Sequence, residues 1–201
     1  MQDIGAVILA AGGSSRFGSP KQLVQFHEKD FVQRVVAVAQ EAACSPVVVV
    51  TGSNAAKVSD EATTPVVENK NWREGIGSSI RVGLEYLIDL EPDINAIILL
   101  TCDQLLVNAE VIMNLMALHQ ATGKEIVASS YANTLGVPAL FDRCLFPELL
   151  ALSGDTGAKK IILANRDRVA EFPFAAGSID IDTQADYESL TRESWKILDR
   201  I

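Results

Sequence analysis

Ile8-Leu9-Ala10-Ala11-Gly12-Gly13-Ser14-Ser15-Arg16-Phe17-Gly18-Ser19-Pro20-Lys21 carries an apolar strand, begun at Ala6, straight into a loop of small residues punctuated by two cations. Backbone N–H groups in a loop without side-chain bulk can approach phosphate oxygens closely and form an anion-binding concavity. Arg16 as a planar fork and Lys21 as a point charge would supply formal positive charge beside it. The stretch therefore reads as a polyphosphate cradle at the end of a first strand. The bland alternative is an ordinary β–α connection with spare glycines.

Two common templates fail on this loop. Gly13-x4-Gly18 matches the start of a P-loop, but Ser19-Pro20 stands where Lys-Ser/Thr is required, so the hydroxyl for magnesium is missing and Pro20 removes an N–H. The spacing of Gly12, Gly13 and Gly18 also fits no GxGxxG dinucleotide fingerprint.

The chain around the loop reads as a single α/β domain over residues 1–201. Its 201 residues are 48% hydrophobic and 21% charged, a globular composition with enough length for a large core. A net charge of −9 excludes a nucleic-acid partner held by a basic face. The three cysteines, Cys44, Cys102 and Cys144, are odd in number and lack a CxxC pair, which points to a reducing compartment and away from a disulfide or zinc framework. Ala6 to Gly12 resembles a signal-peptide core, but Asp3 precedes it and no Lys or Arg does. No apolar run approaches the ~18 residues that span a membrane, so a cytoplasmic protein without a membrane partner is expected.

Asp30 is expected to cap a helix reaching about Cys44, with Phe31, Val32, Val35, Val36 and Ala39 on one face. Pro46 opens Val47 to Val50, a β-branched run suited to a strand buried on both faces. Asn54 to Ala62 reads as a short helix before a strand at Pro65 to Val67. The β-α-β-α-β order predicts parallel strands. A polar loop from Asn69 follows, with Trp72 as a packing anchor, and runs into a helix from Ile76 to Asp89 or Leu90. Ser78 and Ser79 fall in that helix's first turn, where unpaired N–H groups face any anion or base edge nearby.

Ala96 to Cys102 is the clearest buried strand, and Asp103 follows it directly. Ligands bind beyond the carboxyl ends of strands in open parallel sheets, and an acid placed there is a natural magnesium ligand. Helix capping is the other use for such an acid. Asn108 is the better cap here, ahead of a helix from Ala109 to Thr122 stopped by Gly123. Further on, Glu125 to Ser130 reads as a strand, Tyr131 to Leu135 as a turn, and Gly136 to Phe141 as an extended return. Pro147 is expected in a helix's first turn or between two short helices. A polar loop from Ser153 to Lys160 opens another helix, and Val169 to Phe174 is a late strand. Ser178 to Thr183 alternates acid and apolar residues like a strand, ahead of an amphipathic C-terminal helix.

These residues also carry a family resemblance. Leu9-Ala-Ala-Gly-x-Ser-x-Arg-x-Gly-x-x-Lys21 resembles the signature of the MobA-like nucleotidyltransferases, whose α/β fold is similar to glycosyltransferase A. Further blocks match in order along nearly the whole chain: Asn69 to Leu84, Asp103-Gln104, Gly136-x-Pro138-x-x-Phe141, Gly154 to Ala158 and Asp180 to Tyr187. The last two blocks, and Ala10-Ala11-Gly12 where guanylyltransferases usually show Ala-Gly-Gly, make the chain most similar to the molybdenum cofactor cytidylyltransferases.

The resemblance implies a three-layer fold with a mostly parallel, partly mixed sheet. It implies transfer of CMP from Mg-CTP to a phosphorylated acceptor, molybdopterin first, with release of pyrophosphate and possible delivery to a molybdoenzyme. Leu9, Ala10, Ala11, Gly12, Gly13, Ser14, Gly18, Gly75 and Ser79 would bind the nucleotide. Arg16, Lys21 and Asp103 would be catalytic, and Asp103 and Asp182 would hold Mg2+, with Asp180 a rival to Asp182. An anionic phosphate nucleophile needs no strong base, which suits a chain whose two histidines, His27 and His119, lie in no motif. Three positions depart from the family pattern: Leu105 and Gln184 replace prolines, and Phe17 replaces methionine. The first touches loop shape beside the metal. GTP with molybdopterin, a sugar or alcohol phosphate as acceptor, and an idle nucleotide-binding or cofactor-delivery protein are the other readings.

Overall fold

The computed structural model describes residues 3–13, 17, 24–26, 29–52, 55, 58, 63–181 and 183–189. β1 (Ile4–Ala10) leads to a small antiparallel pair, β2 (Gln25–Phe26) with β3 (Lys29–Asp30), and then α1 (Phe31–Glu41). β4 (Val47–Thr51), β5 (Val66–Glu68), α2 (Ile76–Leu90), β6 (Ala96–Thr101) and α3 (Ala109–Thr122) follow. The second half holds β7 (Ile126–Tyr131), β8 (Thr134–Asp142), α4 (Phe146–Leu150), α5 (Ala158–Ala164) and β9 (Val169–Pro173). Seven strands form one sheet in the order β5-β4-β1-β6-β8-β7-β9. β8 runs antiparallel to both β6 and β7, and every other pairing in that sheet is parallel.

The sequence explains the layering. Successive strand residues point to opposite faces. Ala6, Ile8 and Ala10 of β1 join Val47 and Val49 of β4 in a core covered by α1 and α3. Val7, Leu9, Val48 and Val50 face the opposite core, covered by α2, α4 and α5. Strands apolar on both faces can sit only between two helical layers, and the three-layer fold follows. Helix limits also follow local chemistry. Asp30 accepts the Gln33 N–H at 2.6 Å and Asn108 accepts that of Val111 at 3.0 Å, while Gly123 ends α3 at φ +63°. Pro147 sits at the start of α4, where no N–H is needed.

Two expectations are corrected. The turn after β7 is not five residues but the pair Ala132-Asn133, both at positive φ (46° and 58°), the geometry of a tight hairpin. The return strand is correspondingly longer, from Thr134 to Asp142. Residues 178–181 are not a strand: a 3-10 turn covers Ala175–Ser178 and residues 179–181 enter no ladder, so strand alternation gives no ground for pairing Asp180 with Asp182, which lies outside the described residues. Most of the expected helix from 54 to 62 lies outside the described residues. Among the described residues, no helix is long and apolar enough to cross a membrane.

Candidate functional site

β1 lies between β4 and β6, with Ala10 opposite Thr51 and Leu9 opposite Thr101. Three chain segments therefore leave the sheet side by side: Ala11 to Gly13 from β1, Gly52 from β4 and Cys102-Asp103 from β6. The Cys102 N–H donates to Leu9 O at 3.2 Å, and Asn69 N–H to Thr51 O at 2.8 Å, tying the fourth segment, residues 69–75, to the same edge. Leu9, Ala10 and Ala11 are buried, whereas Gly12 and Gly13 are exposed. Ser14, Arg16, Gly18 and Lys21, as well as Asp182 and His27, lie outside the described residues.

Trp72 crowds two glycines of these loops, at Gly52 together with the Ala11 carbonyl, which a Cβ would meet at 2.5 Å. A Cβ on Gly13 would stand 3.1 Å from its ring and one on Gly52 2.8 Å, so the indole is wedged between the loops after β1 and β4. The Arg73 guanidinium covers the ring at 4.4 Å from its centroid. The packing role expected of Trp72 is what the structure shows.

Asn69 had no assigned role in the sequence, yet its buried amide organises the start of α2. Nδ2 donates to Ser78 Oγ at 2.8 Å and to Ser79 Oγ at 2.9 Å, and Oδ1 accepts the Asn71 N–H at 3.0 Å. Ser78 also donates towards Gly75 O at 2.8 Å. Ser79 is only 4% exposed, and its hydroxyl orientation is set by the Asn69 amide. Gly75 sits at φ +118°, and a Cβ there would lie 2.3 Å from the Gly154 carbonyl. Gly77 N–H donates to that carbonyl at 3.0 Å. The glycines thus seat residues 153–156 directly on the N-terminus of α2, a close approach that only a missing side chain permits.

On the other side of Asp103, the chain returns from β9. Ile181 N–H donates to Asp103 O at 3.2 Å, which lays residue 181 beside the end of β6. Tyr131 reports the same neighbourhood. Its phenol is pushed above the ordinary tyrosine range chiefly by burial and further by the charges of Asp180 and Asp103. Its hydroxyl donates to Val137 O at 3.1 Å. A Cβ on Gly136 would come within 2.3 Å of that hydroxyl and one on Gly177 within 2.6 Å of the ring. Tyr131 was not singled out in the sequence; the Gly136-x-Pro138 block was its only trace there.

A third, small apolar cluster closes this end. Phe17, Phe31, Leu105 and Ile181 are buried together, with Val24, Leu106 and Tyr187 against them. Tyr187 meets Phe17 edge-on at 6.5 Å and donates its hydroxyl to Gln25 O at 2.7 Å. Leu105 and Phe17, two departures from the family pattern, are therefore packing partners. His119 is buried in α3 with its Nε2 3.5 Å from Asp142 Oδ2.

Among the described residues no group of three acidic, histidine or cysteine side chains could hold a metal. Magnesium is commonly held by one or two carboxylates and substrate phosphates, keeping its other positions for water. Among the described residues, Asp103 and Asp180 both lie close enough to Tyr131 for their charges to act on it, and a carboxylate pair of this kind fits that donor set.

Rv0371c of Mycobacterium tuberculosis H37Rv has a solved structure with TM-score 0.82 and 30% identity, covering 94% of this chain and 97% of that one. The same protein in complex with manganese matches with TM-score 0.76 and 28% identity, over 94% of this chain and 98% of that one. A probable molybdenum cofactor guanylyltransferase of Bacillus cytotoxicus is 34% identical over 89 residues, 43% of this chain and 45% of that protein. The chain spans about half the length of the curated relatives it matches. A family model described as the MobA-like NTP transferase domain matches residues 6–169, and the chain belongs to that family.

Proposed function

We propose that the protein transfers a nucleoside monophosphate from a Mg-bound triphosphate to a phosphorylated acceptor, releasing pyrophosphate. The observation that carries this reading is the convergence of Gly12-Gly13, the start of α2 and Asp103 at the carboxyl ends of β1, β4 and β6, where open α/β sheets bind ligands. In this reading Gly12 to Gly18 offers backbone N–H groups to the phosphates. Arg16 and Lys21 neutralise charge gathering at the α-phosphorus and the leaving oxygens. Gly75 and Ser79 line the base and ribose side. Asp103 with Asp182, or with Asp180, would hold Mg2+, which when bound supplies charge neutralisation on the phosphate oxygens. The acceptor's own anionic oxygen is the nucleophile, so the chain's task is in-line placement.

For the nucleotide we infer CTP, from Ala10-Ala11-Gly12 and the two C-terminal blocks. GTP is the second reading, favoured by the name of the curated relatives. Molybdopterin is the acceptor that both readings share. The test is pyrophosphate release from CTP, GTP, ATP and UTP, with and without molybdopterin. Consumption of CTP only with the acceptor supports the first reading, and consumption of GTP alone replaces it with the second. If no triphosphate is consumed with molybdopterin or with sugar and alcohol phosphates, the protein is a binder and not a transferase.

A further inference from the structure

Gln104 directly follows Asp103 and is 3% exposed. Its Nε2 donates to Val137 O at 3.1 Å and to Gly177 O at 3.0 Å, carbonyls that lie 33 and 73 residues further along the chain. The first belongs to β8 and the second to the 3-10 turn that precedes Asp180. A primary amide nitrogen has two hydrogens in one plane and carries no charge, so it joins two buried carbonyls without an ion to compensate. Asparagine would be one methylene short, and lysine would bury a charge.

Two further observations bear on the same knot. Tyr131 shares the Val137 carbonyl with Gln104, and its ring fills the space left by Gly136 and Gly177. Gln104 Oε1 is buried and has no hydrogen-bond partner among the described residues, and leaving such an acceptor unpaired costs about 1–3 kcal/mol. Side-chain packing alone would be served as well by an apolar residue without that cost. What an apolar residue cannot do is hold the turn at Gly177 and strand β8 at fixed distances from the residue after Asp103.

We propose that Gln104 is a positioning residue that fixes the 177–181 segment against the end of β6, so that Asp103 and a carboxylate of the returning chain, Asp180 first, can share one divalent cation. This rests on the metal role given to Asp103 in the proposed function. Groups that orient metal ligands in this way typically change affinity by roughly 10–100-fold when removed.

The test uses Mn2+ as the probe, with free Mn2+ followed by electron paramagnetic resonance, in the presence and absence of CTP and of GTP. Gln104→Met keeps the length and apolar stem but loses both donors. Gly177→Ala disturbs the same knot from the other side, because its Cβ would meet the Tyr131 ring at 2.6 Å. Ser129→Ala is the control, since it removes a buried bond to Pro138 O (2.7 Å) on the same hairpin outside the knot. Gln104→Met and Gly177→Ala are expected to weaken Mn2+ binding about 10–100-fold, while Ser129→Ala lowers only the Tm. Wild-type affinity in both knot variants, or equal weakening in the control, overturns the inference. If the wild-type protein binds no Mn2+, the metal role and this inference fall together. If the knot variants weaken Mn2+ binding but no nucleotide is ever transferred, the inference stands and the transferase reading falls.

Discussion

Asp103 stands where a strand buried on both faces ends, and its backbone carbonyl already holds the returning 181 segment. Asp103→Asn keeps the shape and removes the charge. It is expected to lower acceptor-dependent pyrophosphate release on the order of 100-fold or more, the scale of losing one electrostatic contact to the reacting phosphates. Retained turnover would remove Asp103 from the machinery. The cysteines give a second prediction at this scale. Burial pushes the Cys44 thiol up to about 12, so at pH 8 it is protonated as well as inaccessible, and Cys102 is buried too. Cys144 is exposed; its thiol is also raised, by partial burial first and then by Asp142, so its reactivity climbs as pH rises through that raised value. A thiol reagent at pH 8 should therefore label Cys144 alone in the native protein and all three cysteines after unfolding. Labelling of Cys44 in the native state would contradict its burial.

Among the elements, α2 makes the most exacting contact with the sheet. A Cβ on Gly83 would stand 2.5 Å from Val7 Cγ1 and 2.6 Å from Val50 Cγ2, both on stiff side chains of central strands. Alanine in a helix interior gains about 1 kcal/mol over glycine. Overpacking here should outweigh that gain, and Gly83→Ala is expected to destabilise by about 1–3 kcal/mol in urea unfolding. An increase in stability would mean that α2 can ride outward. Elements of this kind were legible in the sequence because period and caps agree: Asp30, Asn108 and Gly123 begin and end helices where their chemistry says. The alternation over Ser178 to Thr183 misled because its described residues 179–181 enter no ladder; Ile181 sits in an apolar cluster and its N–H donates to Asp103 O. The glycines at 75, 77 and 136 advertised a close approach but not to what. Their reasons, Gly154, Thr156 and Tyr131, are distant in sequence or hidden in an apparent turn.

At the scale of the whole molecule, two cores on either side of the sheet carry the fold, and a third cluster stands apart from them at the mouth of the proposed site. Its members come from the glycine loop (Phe17), the start of α1 (Phe31), the segment after Asp103 (Leu105) and the returning chain (Ile181). Four segments, two near the start of the chain and two beyond residue 100, are thus clamped by one small apolar knot, further tied by Arg34 Nε, which donates to Leu105 O at 3.2 Å. Leu105, 1% exposed, is where the family pattern has proline; here the position supplies apolar volume to the clamp. Truncating it should loosen Phe17 and Ile181 together, and each neighbours residues assigned to phosphate or metal. Leu115 offers the comparison, because it is a fully buried residue of α3 that packs in the first core and not in the third cluster. Leu115→Ala is expected to cost about 2–5 kcal/mol in urea unfolding while leaving kcat/KM of the folded protein unchanged. Leu105→Ala should cost less stability, since its cluster is small, yet lower kcat/KM between about tenfold and 100-fold, the penalty for reacting groups displaced by about 1 Å. Measured at a temperature where both variants are fully folded, equal kcat/KM values would show that the third cluster is packing only and that the site is held by the sheet edge alone.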